Sequence, residues 1–219
     1  MVQVKICGVN SPEAADAVAS AGADFAGLVF FPPSPRHVEY EQAASLAARL
    51  RGRCRIVALL VDAGDAEIEA AVKAARPDML QLHGRETPER VAVIRQGFGL
   101  PVMKAVAVAE ATDFVSAAGY EQVSDMLLFD AKVPAAASRP GGYGAAFDWQ
   151  LLRGRKFSRP WLLGGGLNGE NVARAMRICD APGVDCSSGV ESAPGVKDAQ
   201  RIREFVAAAR SANFVGAAA

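Results

Sequence analysis

Short apolar runs alternate with amphipathic segments along this chain, and that repeat restricts its possible folds more than any other feature. Eight runs are strand candidates, and they cover residues 2–7, 25–30, 55–61, 79–84, 102–106, 126–130, 161–163 and 184–186. They are almost continuously apolar, as expected of parallel strands buried on both faces. Eight strand–helix units are typical of a (β/α)8 barrel, so the predicted fold class is α/β, a single TIM barrel.

Helical patterns follow seven of the eight runs. The predicted segments include residues 11–21, 39–50, 65–76, 112–118 and 197–209, and a further helix opens at Thr87. Unit six is the weakest, because a long loop precedes Asp148 and the helix expected there. An open doubly wound sheet would have a glycine fingerprint after the first strand, whereas the glycines here gather late. We therefore expect one barrel domain over residues 1–219, with the last few residues frayed.

Composition excludes several classes of protein. The 24 basic and 24 acidic side chains balance, which gives no footprint for nucleic acid or a membrane surface. We find no secretory signal and no apolar run long enough to cross a bilayer. The four cysteines lack metal-type spacing, and we expect reduced thiols in a cytoplasmic protein.

The end of the first strand is the leading catalytic candidate. Cys7 closes this strand, and Gly8 and a helix follow it. In a closed barrel the last side chain of a strand lies at the mouth where the chemistry takes place. We expect Cys7 to be a catalytic base, although most buried cysteines are inert small hydrophobic residues. Lys5 lies two residues earlier with the same facing and could favour the thiolate.

Asp130 ends an otherwise apolar sixth strand. Its carboxyl group is either a cap or an acid facing the barrel mouth. Strands one and six lie three steps apart in a ring of eight, so Cys7 and Asp130 could flank a small substrate. That arrangement suits a reaction in which one proton is added and another is removed.

Glycine- and serine-rich turns follow the last three strands. The candidate phosphate-binding residues in them are Gly142, Gly165, Gly166, Ser187, Ser188 and Gly189. One such turn could be merely a tight turn. Three at adjacent strand ends favour phosphate, because glycine lets backbone N–H groups approach an anion closely.

Three further side chains are substrate-contact candidates. Arg36 ends a proline-stiffened loop, where it is either a surface charge or a fork for a substrate carboxylate. His83 follows strand four and either contacts the substrate or makes a structural hydrogen bond. Asp185 either caps the loop after strand eight or meets a substrate hydroxyl.

These residues lie in motifs that resemble phosphoribosylanthranilate isomerase. The matching segments are KICG (5–8), GLVF (27–30), SPR (34–36), QLHG (81–84), GGYG (141–144), FDW (147–149), LGGGL (163–167) and VDCSSGVE (184–191). The resemblance covers residues 5 to 205 in the right order, and most of its motifs fall at strand ends. One departure is Tyr143, which stands where the family has threonine; another is an alanine-rich insert at residues 135–137.

The resemblance implies a barrel enzyme of tryptophan biosynthesis. Such enzymes convert N-(5-phosphoribosyl)anthranilate to its 1-deoxyribulose phosphate isomer by an Amadori rearrangement. It implies that Cys7 takes the C2′ proton, that Asp130 protonates the ring oxygen, and that Arg36 contacts the anthranilate carboxylate. Asp130 must then hold a proton when substrate arrives. The partner is a small phosphoribosyl molecule, no cofactor or metal is required, and the chain is a monomer or a homodimer.

Two rival functions stay open on sequence alone. The related histidine-pathway isomerase performs the same rearrangement, but it carries aspartate at the position of Cys7 and needs a second phosphate loop in the first half. A non-catalytic phosphate-binding barrel would keep the late glycines but has no use for Cys7 and Asp130.

Overall fold

Eight parallel strands close into one barrel in a computed structural model that describes residues 2–132 and 146–212. Their order around the barrel is their order in the chain, and β1 completes the ring by pairing with β8. The strands are β1 (Gln3–Cys7), β2 (Phe25–Phe30), β3 (Arg55–Leu60), β4 (Met79–Leu82), β5 (Val102–Val108), β6 (Met126–Ala131), β7 (Trp161–Leu163) and β8 (Gly183–Cys186). The prediction of a TIM barrel is confirmed.

Helices surround the barrel. They are α1 (Pro12–Ser20), α2 (Tyr40–Leu50), α3 (Asp65–Ala75), α4 (Pro88–Phe98), α5 (Phe114–Glu121), α6 (Val172–Cys179) and α7 (Ala199–Ser211). None of the helices in the described ranges combines the length and apolar character that crossing a bilayer requires.

Local capping signals set the helix boundaries. The Ser11 hydroxyl accepts the N–H of Ala14 at the start of α1, and Thr87 accepts that of Arg90 at the start of α4. Gly22, just beyond α1, has φ +75°, a backbone conformation that favours glycine. Because these signals are local, the boundaries predicted from sequence differ from the observed ones by only a few residues.

Two separate apolar layers result. A large core packs the outer strand faces against the helices. Inside the barrel, a smaller cluster fills the space below the carboxyl ends of the strands. It is formed by Phe25, Val57, Met79, Met103, Ala105, Met126, Leu128 and Leu162. The interior is therefore packed, and the polar inward side chains Lys5, Gln81 and Asp185 come from the strands around it.

Two features differ from expectation. Between β6 and β7, the described residues form only a short 3₁₀ turn, Trp149–Leu152, where a helix was expected. A small antiparallel hairpin of β9 (Glu191–Ala193) and β10 (Val196–Lys197) precedes α7. The prediction that Lys197 begins the last helix is wrong, because Lys197 lies in β10. The expected fraying falls at residues 213–219, outside the described part.

Candidate active site

Cys7 ends β1 inside the barrel mouth. Its side chain is buried and packs with Val29 and Leu59. A Cβ on Gly27 of the neighbouring strand β2 would lie 3.0 Å from the Cys7 sulfur, tighter than almost all real contacts. Glycine at position 27 therefore makes room for the thiol.

The charged groups around this sulfur are Lys5, Lys197 and Asp185. Lys5 lies on the same strand and face, and its Nζ is 2.8 Å from Asp185 Oδ1 on β8. Burial lowers the pKa of Lys5, but Asp185 and Cys7 raise it and the net direction is upward. Lys5 is thus a fully buried cation beside the thiol, and Asp185 forms a buried ion pair with it.

The sequence predicts that Lys5 favours the thiolate of Cys7, and Lys5 does lower the pKa of this thiol, but it does not set the net direction. Burial raises the pKa of the Cys7 thiol, and Asp185 raises it further, while Lys5 and Lys197 oppose them. The net shift is upward, so the thiol form is favoured. Lys5 acts in the expected direction, but burial outweighs it.

Asp130 lies on the opposite side of the mouth, near the end of β6. Its Oδ1 accepts the N–H of Ala131 at 2.8 Å, and its Oδ2 is 3.3 Å from His83 Nε2. His83 follows β4, and its Nδ1 is 2.9 Å from the amide nitrogen of Gln81. Asp130 is therefore oriented by two groups, one of which is itself held by a buried side chain.

The loop after β7 approaches Asp130 closely. Gly165 has φ +82°, and a Cβ there would lie 2.8 Å from Ala131 N and 3.2 Å from Asp130 Oδ1. Gly166, with φ +64°, also has a glycine-type backbone. The glycines predicted to hold phosphate thus also leave space for the candidate acid.

The loops after β7 and β8 pack against each other. A side chain at Gly189 would overlap the carbonyl oxygen of Leu167. Within residues 2–132 and 146–212, the backbone N–H groups of Gly165, Gly166 and Ser188 donate to no protein acceptor. Two adjacent loops with available donors are a typical phosphate cradle of this fold.

Arg36 pairs with Glu191, a partner not predicted from the sequence. Its Nε and Nη2 lie 2.7 and 2.8 Å from the two oxygens of Glu191, in a buried fork. Lys197 Nζ lies 2.7 Å from Glu191 Oε1 and also donates to the Ser187 carbonyl at 2.9 Å. Burial raises the pKa of Glu191, but Arg36 and Lys197 lower it and the net direction is downward.

This group, Arg36, Glu191 and Lys197, is called the rim cluster below. It carries two cations and one carboxylate beside the mouth. Burial lowers the pKa of Lys197, and Glu191 raises it, with a net downward direction. Pro194 and Gly195, a turn dipeptide, could have indicated the hairpin that holds Lys197.

The predicted site residues group as follows. Those in the described part of the chain all lie towards the carboxyl ends of the strands. They are Cys7, Asp130, His83, Asp185 and Arg36, and the loops with Gly165, Gly166, Ser187, Ser188 and Gly189. Gly142 and Tyr143 lie outside the described residues, as does the alanine-rich insert. No three His, Cys, Asp or Glu side chains converge as a possible metal site in the described part of the chain. The roles of these residues in binding and catalysis stay predictions.

The arrangement can perform proton transfer on a small anionic molecule. A thiol and a carboxyl group face the mouth from strands three steps apart around the ring, through β7 and β8. The two loops between them offer backbone donors to an anion, and the rim cluster carries positive charge.

Known proteins are similar to this chain in both sequence and fold. The family described as N-(5'phosphoribosyl)anthranilate (PRA) isomerase matches residues 4–208. A relative from Bradyrhizobium sp. (strain ORS 278), named N-(5'-phosphoribosyl)anthranilate isomerase, is 56% identical over 209 residues, 95% of this chain and 95% of its own length.

Solved structures agree with this match. The phosphoribosyl anthranilate isomerase of Thermotoga maritima has a TM-score of 0.85 and 34% identity, covering 96% of this chain and 100% of that chain. Another structure of such an isomerase, in complex with reduced 1-(o-carboxyphenylamino)-1-deoxyribulose 5-phosphate, has a TM-score of 0.82 and 33% identity, with the same coverage.

Proposed function

Because the chain belongs to the N-(5'-phosphoribosyl)anthranilate isomerase family, we propose that Cys7 and Asp130 perform its rearrangement by general base and general acid catalysis. The substrate is N-(5-phospho-β-D-ribosyl)anthranilate, and the product is 1-(2-carboxyphenylamino)-1-deoxy-D-ribulose 5-phosphate. The reaction is an intramolecular aldose–ketose isomerisation in tryptophan biosynthesis. The observation that carries the proposal is the placement of Cys7 and Asp130 at one barrel mouth, on either side of the two packed glycine and serine loops.

The chemistry follows in two proton transfers. Asp130 donates its proton to the furanose oxygen as the C1′–O bond breaks, which leaves a protonated imine and a carboxylate. The thiolate, the minor form of Cys7, then takes the C2′ proton to give an enolamine. The enolamine becomes the ketone by gaining a proton at C1′ and losing the proton of its 2′-hydroxyl. Each positioned proton transfer contributes about 10²–10⁴-fold to the rate.

The remaining site residues hold the substrate in this proposal. The loops after β7 and β8 receive the phosphate through the backbone N–H groups of Gly165, Gly166 and Ser188, the donors described above. Arg36 and the positive charge of the rim cluster attract the anthranilate carboxylate.

The first prediction tests the two catalytic roles. Cys7→Ala and Asp130→Asn are each expected to lower kcat at least about a hundredfold, because each removes one proton transfer. Turnover is followed as loss of the fluorescence of phosphoribosylanthranilate generated in situ, with circular dichroism to confirm folding.

Matched controls are available at the opposite end of the barrel. Cys54→Ala removes a half-buried thiol just before β3, and Asp180→Asn changes an exposed carboxylate whose left-handed backbone asparagine tolerates. Both should keep normal turnover. A Cys7→Ala protein with near-normal kcat would eliminate the base assignment, and wild-type protein without any turnover would favour a non-catalytic barrel.

The setting of the enzyme completes the proposal. A small phosphoribosyl molecule is the partner, and the balanced charge fits a cytoplasmic protein without nucleic-acid or membrane partners. One solved relative, from Thermotoga maritima, is described as dimeric and as yielding monomers. A monomer or homodimer is proposed here on that likeness.

A further inference from the structure

A chain of hydrogen-bonding groups runs from the barrel interior to Asp130. The Gln81 amide nitrogen lies 2.9 Å from His83 Nδ1, and His83 Nε2 lies 3.3 Å from Asp130 Oδ2. We propose that Gln81 fixes His83 as the Nε2–H tautomer, and that both are positioning residues that stabilise the Asp130 carboxylate as it forms. This inference rests on the proposed function of Asp130 as general acid.

The donor inventory of the two side chains determines the direction of the chain. A neutral imidazole has one donor and one acceptor nitrogen, and an amide NH₂ can only donate. When Gln81 donates to Nδ1, the ring proton must be on Nε2, the nitrogen that lies 3.3 Å from Asp130 Oδ2. The reverse amide orientation would bury two N–H groups without acceptors and turn the Nε2 lone pair toward a carboxylate.

The burial of Gln81 supports a role beyond filling space. Its side chain is fully buried, in a barrel whose lower interior is lined by methionine, leucine and other apolar residues. Its Oε1 has no hydrogen-bond partner among the described residues. An apolar side chain of similar size would avoid this cost, whereas only an amide can orient His83.

The position of His83 suits stabilisation of the reaction rather than of the resting state. Its distance of 3.3 Å to Asp130 is longer than the 2.7–2.9 Å typical of charge-assisted hydrogen bonds. When Asp130 gives its proton to the ring oxygen, negative charge develops on Oδ1 and Oδ2. A donor nitrogen already 3.3 Å from Oδ2 binds the carboxylate more strongly at that moment, which lowers the barrier.

The tautomer can be read directly, since the chain has 2 histidines. Long-range ¹H–¹⁵N spectra of wild-type protein are recorded above about pH 8, where imidazole is ordinarily neutral. His37→Gln assigns the two signals by removing one of them. We expect an acceptor-type Nδ1 and a protonated Nε2 for His83; a protonated Nδ1 would overturn the tautomer assignment, whatever Asp130 does.

Kinetics test whether His83 acts through Asp130. His83→Leu should lower kcat about tenfold to a hundredfold, the range for a hydrogen bond to a charged group, with KM little changed. His83→Gln, whose amide can donate in place of Nε2–H, should recover much of the loss. Gln81→Leu should lower kcat severalfold in wild type and have little further effect in His83→Leu.

A double-mutant cycle separates this inference from the proposed function. In the Asp130→Asn background, His83→Leu should cost almost nothing, because the group that it stabilises is gone. Independent, multiplying losses, or a rise in KM alone, would show that His83 contacts substrate instead. If Asp130→Asn alone kept full activity, the acid assignment itself would fail, and the tautomer spectrum would still judge the Gln81–His83 orientation.

Discussion

At the scale of single residues, burial decides how Cys7 titrates. The sulfur lies between Lys5, Lys197 and Asp185, so opposite charges partly cancel there. Desolvation is the largest influence and favours the neutral thiol. In the proposed reaction Lys5 and Lys197 stabilise negative charge on the sulfur when it forms.

This environment predicts a late titration. The difference between the ultraviolet spectra of wild-type protein and of Cys7→Ser isolates the Cys7 thiolate. We expect no thiolate band in it at neutral pH, and the band should grow only above pH 9.0, the ordinary pKa of the thiol. The other three thiols are present in both proteins and cancel in the difference. Burial raises the pKa of Cys54 and Cys179 to about 11 and that of Cys186 to about 12. A thiolate band from Cys7 at neutral pH would contradict the dominance of burial.

At the scale of elements, the rim cluster joins the loop after β2 to the β9–β10 hairpin. The Glu191 carboxylate accepts hydrogen bonds from Arg36, from Lys197 and from the N–H of Gly195. One carboxylate therefore holds the loop and the hairpin together. Buried ion pairs are costly to break from one side, since the partners then lose their compensation. The geometry of the Arg36 side of the mouth therefore depends on Glu191.

The lowered pKa of Glu191 predicts acid sensitivity. A group with a depressed folded-state pKa adds stability above its unfolded value, and this stability is lost as pH falls through the folded value. Glu191→Gln should cost about 3–5 kcal/mol of unfolding free energy near neutral pH. The difference from wild type should shrink as pH falls below 4.5, the ordinary value.

Urea unfolding at several pH values measures this difference. Glu41→Gln, at an exposed glutamate of α2, is the matched control and should show no such difference. A Glu191→Gln penalty that stays constant down to pH about 3 would contradict the ionic origin of the stabilisation.

At the scale of the whole molecule, the seam between β1 and β8 closes the barrel. Lys5 and Asp185 pair across this seam inside the barrel. Outside it, Arg210 of α7 donates to the carbonyls of Val2 and Gly22 and to Asp24 Oδ2. The last helix, α7, is thereby fastened to the start of β1 and to the connection between α1 and β2.

Loss of that fastening should lower stability without changing the site. Arg210→Ala is expected to cost about 1–3 kcal/mol of unfolding free energy, because the carbonyls of Val2 and Gly22 and the Asp24 carboxylate lose their donor. For a chain of this size, that lowers Tm by about 2–4 °C per kcal/mol. Thermal denaturation measures it, and kcat at 25 °C should be unchanged.

Arg203→Ala, at an exposed arginine of the same helix, is the matched control and should leave Tm within about 1 °C. Equal Tm values for the two variants would mean that Arg210 contributes nothing to closure of the barrel.

Most strands and helices of this protein could be predicted from short stretches of its sequence. Apolar runs and caps such as Ser11 and Thr87 determined the elements, because strand and helix periodicity and capping involve neighbouring residues only. Eight units in order then implied the barrel. Cys7 and Asp130 could be placed at its mouth because every strand of such a barrel ends on the same side.

Only the tertiary structure decided the partners and charges at that mouth. The pairing of Arg36 with Glu191 spans 155 positions, and that of Lys5 with Asp185 spans 180. The direction in which the pKa of Cys7 shifts depends on how fully the barrel desolvates the sulfur. The contact of His83 with Asp130 joins the end of β4 to β6. Such contacts exist only after the ring closes, because closure alone brings distant residues together and removes water from between them.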